Sequence, residues 1–144
     1  MGTKAVCTSA ITGAASPLGM TAATASRRPA PGRHNAWEIA VHAAYWKYAA
    51  WRRLTGEKRG TFGREGSNWF TSPSPATETA WRNDVALLVS YHRQLREAVA
   101  RLGDGDLDRR AAGGRETVGR LVRGVTAHDL YHAGQIQLLK RLER

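Results

Sequence analysis

From Asn35 onward, apolar side chains recur at helical intervals. Trp37, Val41, Ala44, Tyr45, Tyr48 and Trp51 fall mostly three and four residues apart, the period of one face of an α-helix. Asn35 and Glu38 bring N-cap and capping-box chemistry to its start, and Gly56 closes the run after Leu54. A second stripe, Trp81, Val85, Leu88, Leu95, Val99 and Leu102, predicts a helix that begins at Ser74-Pro75, where proline is tolerated in the first turn, and ends at Gly103. A third helix is predicted from about Thr117 to Leu142, with Val118, Leu121, Val122, Val125, Ile136 and Leu139 facing inward. No alternation of period two and no internal repeat is visible, so the class is all-α.

The stretches between these helices differ in character. Residues 56–76 hold four glycines, two prolines and the aromatic pair Trp69-Phe70, and a loop of that length is expected to be functional or folded over something. Trp69 and Phe70 either close it over the mouth of the bundle or anchor it. Asp104 to Gly114 is a polar connector. Residues 1–33 are rich in Ala, Thr, Ser and Gly, contain Pro17, Pro29 and Pro31, and lack a period. They read as a weakly structured leader ending in the turn Arg28-Pro29-Ala30-Pro31-Gly32, with room for a poor first helix near residues 4–26. The expected organisation is a leader over residues 1–27 and a helical bundle domain over residues 28–144.

At 144 residues the chain suffices for one domain with a real core. No apolar run approaches the roughly 20 residues that cross a bilayer. The first residues make a poor secretory signal, and Val6 breaks the myristoylation pattern. Cys7 is the single cysteine, which excludes an internal disulfide and suits a reducing cytoplasm, the expected location. The net charge of +10 divides as +4 over residues 1–33, +3 over 34–76, +1 over 77–102 and +2 over 103–144. The helical segments are therefore near balance, their arginines mixed with acids as on a solvated face, and nucleic-acid binding is not the expected role.

The chemistry concentrates in His128-Asp129-Leu130-Tyr131-His132. Four residues are close to one helical turn, so both imidazoles leave the same face. That face is the apolar one, since Val118, Leu121, Val125, His128, His132, Ile136 and Leu139 are separated only by threes and fours. Two histidines there are costly without partners, and a shared metal ion is a natural one for neutral imidazole. The ordinary alternative is a pair of hydrogen-bonded core histidines. His42, beside Val41 and Tyr45, is the candidate third ligand; His92 reads as a surface residue and His34 as exposed. Three histidines leave coordination positions open, as catalytic sites do. Asp129 is a candidate hydrogen-bond acceptor behind a ligand or a general base, against the ordinary reading of a solvated carboxylate. Tyr45 and Tyr131 lie close enough in sequence to hydrogen-bond near the site, or simply pack.

His-Asp-Leu-Tyr-His is one methylene short of the His-Glu-x-x-His of zinc proteases. Only twelve residues follow His132, and no edge strand is predicted to align a peptide, so that reading is set aside.

Two stretches, Arg28 to Trp46 and Val125-Thr-Ala-His-Asp-Leu-Tyr-His-Ala-Gly-Gln-Ile-Gln-Leu, resemble the DinB/YfiT-like proteins. The likeness covers about residues 28–142, and the His-x-x-x-His-x-Gly-Gln-Ile block is its most specific part. The resemblance implies an antiparallel four-helix bundle, often dimeric, with one metal-binding histidine on the second helix and two on the last. These correspond to His42, His128 and His132. Family members open with a long helix; here that first helix is expected to be short, degenerate or missing. The implied cofactor is a divalent ion, zinc or nickel first, iron or manganese next. The implied chemistry is activation of a low-molecular-weight thiol, such as bacillithiol or mycothiol, for transfer to an electrophilic small molecule.

The expected function is thus a metal-dependent thiol transferase or hydrolase-like enzyme, with a homodimer and no membrane as the expected setting. The alternatives are a non-catalytic metal-binding stress-response protein and a basic nucleic-acid-associated protein.

Overall fold

The computed structural model describes residues 17–60 and 62–143. Among them lie four α-helices and no strand: α1 (Ala22–Ser26), α2 (Ala36–Thr55), α3 (Glu78–Ala100) and α4 (Val118–Leu142). The candidate first helix near residues 4–26 falls partly outside the described residues. Its described end is the five-residue α1, preceded by a short turn at Pro17–Gly19. Leu18, Met20, Ala22 and Ala25 are buried in the main core. The segment is pinned to the start of α3, because the Ala22 amide donates to Glu78 and the Trp81 indole donates to the Met20 carbonyl.

The caps explain where the long helices begin and end. The Asn35 side chain accepts from the Glu38 amide, and Gly56 takes the left-handed conformation (φ 75°) that releases the chain from α2. The start of α3 departs from the expectation of Ser74-Pro75. Thr77 is the cap, its hydroxyl accepting from the Ala80 amide, so the helix begins one turn later. It also stops at Ala100, short of Gly103. Thr117 caps α4 through the Arg120 amide.

Helix α2 is the centre of the molecule. Every residue from Ala36 to Ala44 is buried, more than one apolar face requires, because α3, α4 and the following loop all pack on it. Helix α4 runs antiparallel to α2: Arg53 pairs with Glu116 near one end, and His42 meets His128 toward the other. Helix α3 runs the same way as α2. Trp37 lies on Trp81 and bonds Asp84, Tyr48 lies on Tyr91, and Leu54 shares a cluster with Leu95 and Ala98. Two consecutive parallel helices need a return path about as long as α2 itself, roughly 30 Å for 20 residues.

The loop between α2 and α3 is that return path. It descends α2 in reverse order: Tyr48 bonds Gly60, Tyr45 packs on Phe62 and Phe70, His42 bonds Asn68, and Glu38 bonds Ser72. Its length is thus a requirement of the topology, and it places loop residues against the histidine-bearing face of α2.

Candidate metal centre

The structure brings His42, His128 and His132 together. Their Nε2 atoms point at one another, with His128 3.0 Å from His42 and 3.1 Å from His132. His42 and His132 are buried and His128 is partly so. The i, i+4 spacing sets the α4 pair on one face, and the antiparallel α2 brings His42 opposite them.

The opposite edges of the rings decide what these nitrogens can do. His42 Nδ1–H donates to the Asn68 carbonyl at 2.6 Å, and His132 Nδ1–H donates to Gln135 Oε1 at 2.6 Å. Both rings are thereby held in the tautomer whose Nε2 carries a bare lone pair. A single proton on His128 Nε2 can serve one of the two close contacts but not both. A cation resolves all three lone pairs together. In a tetrahedral site with metal–nitrogen bonds of 2.0–2.1 Å, ligand nitrogens stand about 3.3 Å apart, a few tenths of an ångström from the two spacings that His128 makes here. All three ligand atoms lie within 4.8 Å of one another, so the three residues can hold a metal ion.

Proton affinities follow the same geometry. Burial lowers the pKa of His128 to about 4, with the neighbouring His132 and His42 adding to the effect. Burial also lowers His42 and His132, against the opposing pull of their Asn68 and Gln135 hydrogen bonds. All three are therefore neutral near pH 7, the form that binds metal.

A stack of rings covers His42. Trp69 lies parallel to it at 3.8 Å, and His34 lies on the other face of Trp69 at 3.7 Å. His34 is held by Glu38, which also receives Arg28. Burial works to raise the Glu38 pKa, but hydrogen bonds from His34, Arg28 and Ser72 overcome it and the carboxyl is lowered. Trp69 is thus the residue folded over the histidines, whereas Phe70 is buried and anchors the loop. His34 is exposed as expected, yet it is built into this stack.

The remaining candidates divide. Asp129 is buried, not solvated: it forms an ion pair with Lys47, whose side chain is fully enclosed. His92 is not a surface residue. It is half-buried, its Nε2 is enclosed, and burial, with help from Lys47, lowers its pKa. Tyr131 is largely exposed, but its hydroxyl accepts from Gln135, the residue that orients His132. Tyr45 packs among Phe62, Phe70 and Tyr48.

Sequence reasoning missed Asn68 and Gln135. Gln135 was within reach, since i, i+3 on a helix places it beside His132. Asn68 gave no local signal, because its role depends on the path of the loop.

Among the described residues no helix is long and apolar enough to cross a membrane. No curated protein and no solved structure matches the chain. The family model of the DinB superfamily matches residues 10–136, a span that includes all three histidines, and the chain belongs to that superfamily.

Proposed function

We propose that the protein is a metal-dependent transferase that uses a low-molecular-weight thiol, with His42, His128 and His132 as the ligands of one divalent ion, zinc or nickel first. The observation that carries the reading is the convergence of three Nε2 lone pairs, two of them fixed by hydrogen bonds on the far side of their rings. Three neutral imidazoles leave the full charge of the ion uncompensated. When bound, such an ion lowers the pKa of a thiol and holds the thiolate toward an electrophile.

The chain's own residues supply the setting. Asn68 and Gln135 keep the ligand rings in register. Trp69 shields one side of His42 from water. Asp129 is turned toward Lys47, so its part in this reading is to hold α4 against α2 rather than to act as the general base. The reading includes a cytoplasmic homodimer, for which the exposed Tyr131, Leu138 and Leu142 of α4 supply an apolar stripe. Light scattering that gives twice the 15.8 kDa chain mass supports the dimer, and a single chain mass rejects it.

The catalytic part is tested by incubating zinc- or nickel-loaded protein with a bacterial thiol and a chromogenic electrophile. Conjugation that disappears in His128→Ala supports a transferase. Full metal occupancy with no conjugation across a panel of thiols rejects the transferase and leaves a metal-binding protein without that reaction.

A further inference from the structure

A second site lies farther along the face of α2 that carries His42. A cavity of about 400 Å³, within the range of small-molecule sites, opens between α2 and the first part of the return loop. Its apolar wall consists of Tyr45, Tyr48 and Phe62. Its polar wall holds three arginines, Arg52, Arg59 and Arg64, against one acid, Glu65.

The arginines are not equivalent. Arg64 is committed, since it pairs with Asp84 and donates to the Thr71 carbonyl at 3.2 Å. Arg52 and Arg59 make no ion pair among the described residues, with Glu65 or any other acid. Arg52 Nε is enclosed yet finds no hydrogen-bond partner there. A buried guanidinium N–H left unmade is costly, so Arg52 is an arginine that the described residues leave uncommitted, and an anion is the usual partner of such a guanidinium. The wall is also built in advance: the Tyr48 hydroxyl donates to the Gly60 carbonyl at 2.8 Å and accepts from the Gly60 amide at 2.9 Å, which fixes the loop over the cavity.

We propose that this cavity binds a small organic anion, its carboxylate or phosphate head on Arg52 and Arg59 and its flat apolar body laid against the wall formed by the packed rings of Tyr45, Tyr48 and Phe62. The site is separate from the histidine cluster: Arg52 stands ten residues beyond His42, roughly 15 Å along the helix axis. The two share one loop, whose Gly60, Phe62, Arg64 and Gly66 wall the cavity and whose Asn68 holds His42. The proposal does not depend on the metal or on thiol chemistry.

Isothermal titration of the full chain with phenyl phosphate and with benzoate tests it, with benzyl alcohol as the uncharged control. Saturable binding of one equivalent of either anion is expected, with none of the alcohol; the tighter anion identifies the head group. Arg52→Gln and Arg59→Gln are each expected to weaken binding about tenfold or more, the loss of one charge-assisted hydrogen bond. His132→Ala is expected to leave it unchanged. Arg59 is exposed, so its variant carries the test if Arg52→Gln fails to fold. Absence of saturable binding, equal binding of the alcohol, or affinity unchanged in both arginine variants overturns the proposal. Binding lost in His132→Ala but kept in Arg52→Gln overturns it too, by placing the anion at the histidines.

Discussion

His42 Nδ1 and the Asn68 carbonyl oxygen are 2.6 Å apart, and this hydrogen bond turns the other edge of the His42 ring toward His128 and His132. Asn68 makes it from a left-handed conformation (φ 68°), with its side chain accepting from the Trp46 indole at 3.0 Å. The orientation of one α2 histidine thus rests on the backbone of a loop residue 26 positions later.

That dependence separates two substitutions at Asn68. Asn68→Gly keeps the left-handed backbone and is expected to hold metal within a few-fold of wild type. Asn68→Val strains the same backbone and displaces the carbonyl. Its metal affinity is expected to fall roughly 10- to 100-fold, the usual cost of losing a partner behind a ligand. Competition with a chromogenic chelator measures both, and equal affinities contradict the positioning role.

Lys47 and Asp129 tie α2 to α4 inside the bundle, with side-chain exposures of 0% and 4%. Lys47→Met removes one partner from an enclosed pair and is expected to cost about 3–5 kcal/mol in urea denaturation. The double variant Lys47→Met/Asp129→Leu is expected to recover much of that loss. A single-variant cost below about 1 kcal/mol contradicts a structural role for the pair.

Stability without metal carries a pH signature. Burial lowers the pKa values of His42, His128, His132 and His92 in the folded chain relative to the unfolded value of 6.5. Above pH 6.5 both states hold these rings neutral and the stabilisation is fully present. As pH falls from 6.5 toward about 4, the His128 value, the unfolded chain takes up protons that the folded one resists, so stability declines. Thermal melts of chelator-treated protein at successive pH values follow this. A melting temperature flat from pH 7 to pH 4.5 contradicts the burial of these rings.

Much of this architecture was legible before the structure. The stripe from Trp37 to Trp51 and its Asn35 and Gly56 caps specified α2, and the i, i+4 pair on an apolar face marked His128 and His132. The sense of α3 was hidden, because periodicity carries no direction and only packing of Trp81 on Trp37 and Tyr91 on Tyr48 reveals it. The start of α3 moved to Thr77 because several Ser, Thr and Pro residues compete for the cap and their chemistry alone does not rank them. His92 looked solvated among arginines, yet the Lys47–Asp129 pair draws a polar patch into the bundle interior beside it. Contacts within one helix were readable in principle; those made by the return loop, Asn68 and Trp69 above all, required its path.

The most direct test of the three-histidine site is metal content after purification in zinc-supplemented medium, by elemental analysis of wild type and single variants. Close to one ion per chain is predicted for wild type and for His92→Gln, and a loss of most of it in His42→Ala, His128→Ala and His132→Ala. A wild-type protein without stoichiometric metal, or occupancy unchanged in His132→Ala, contradicts the account.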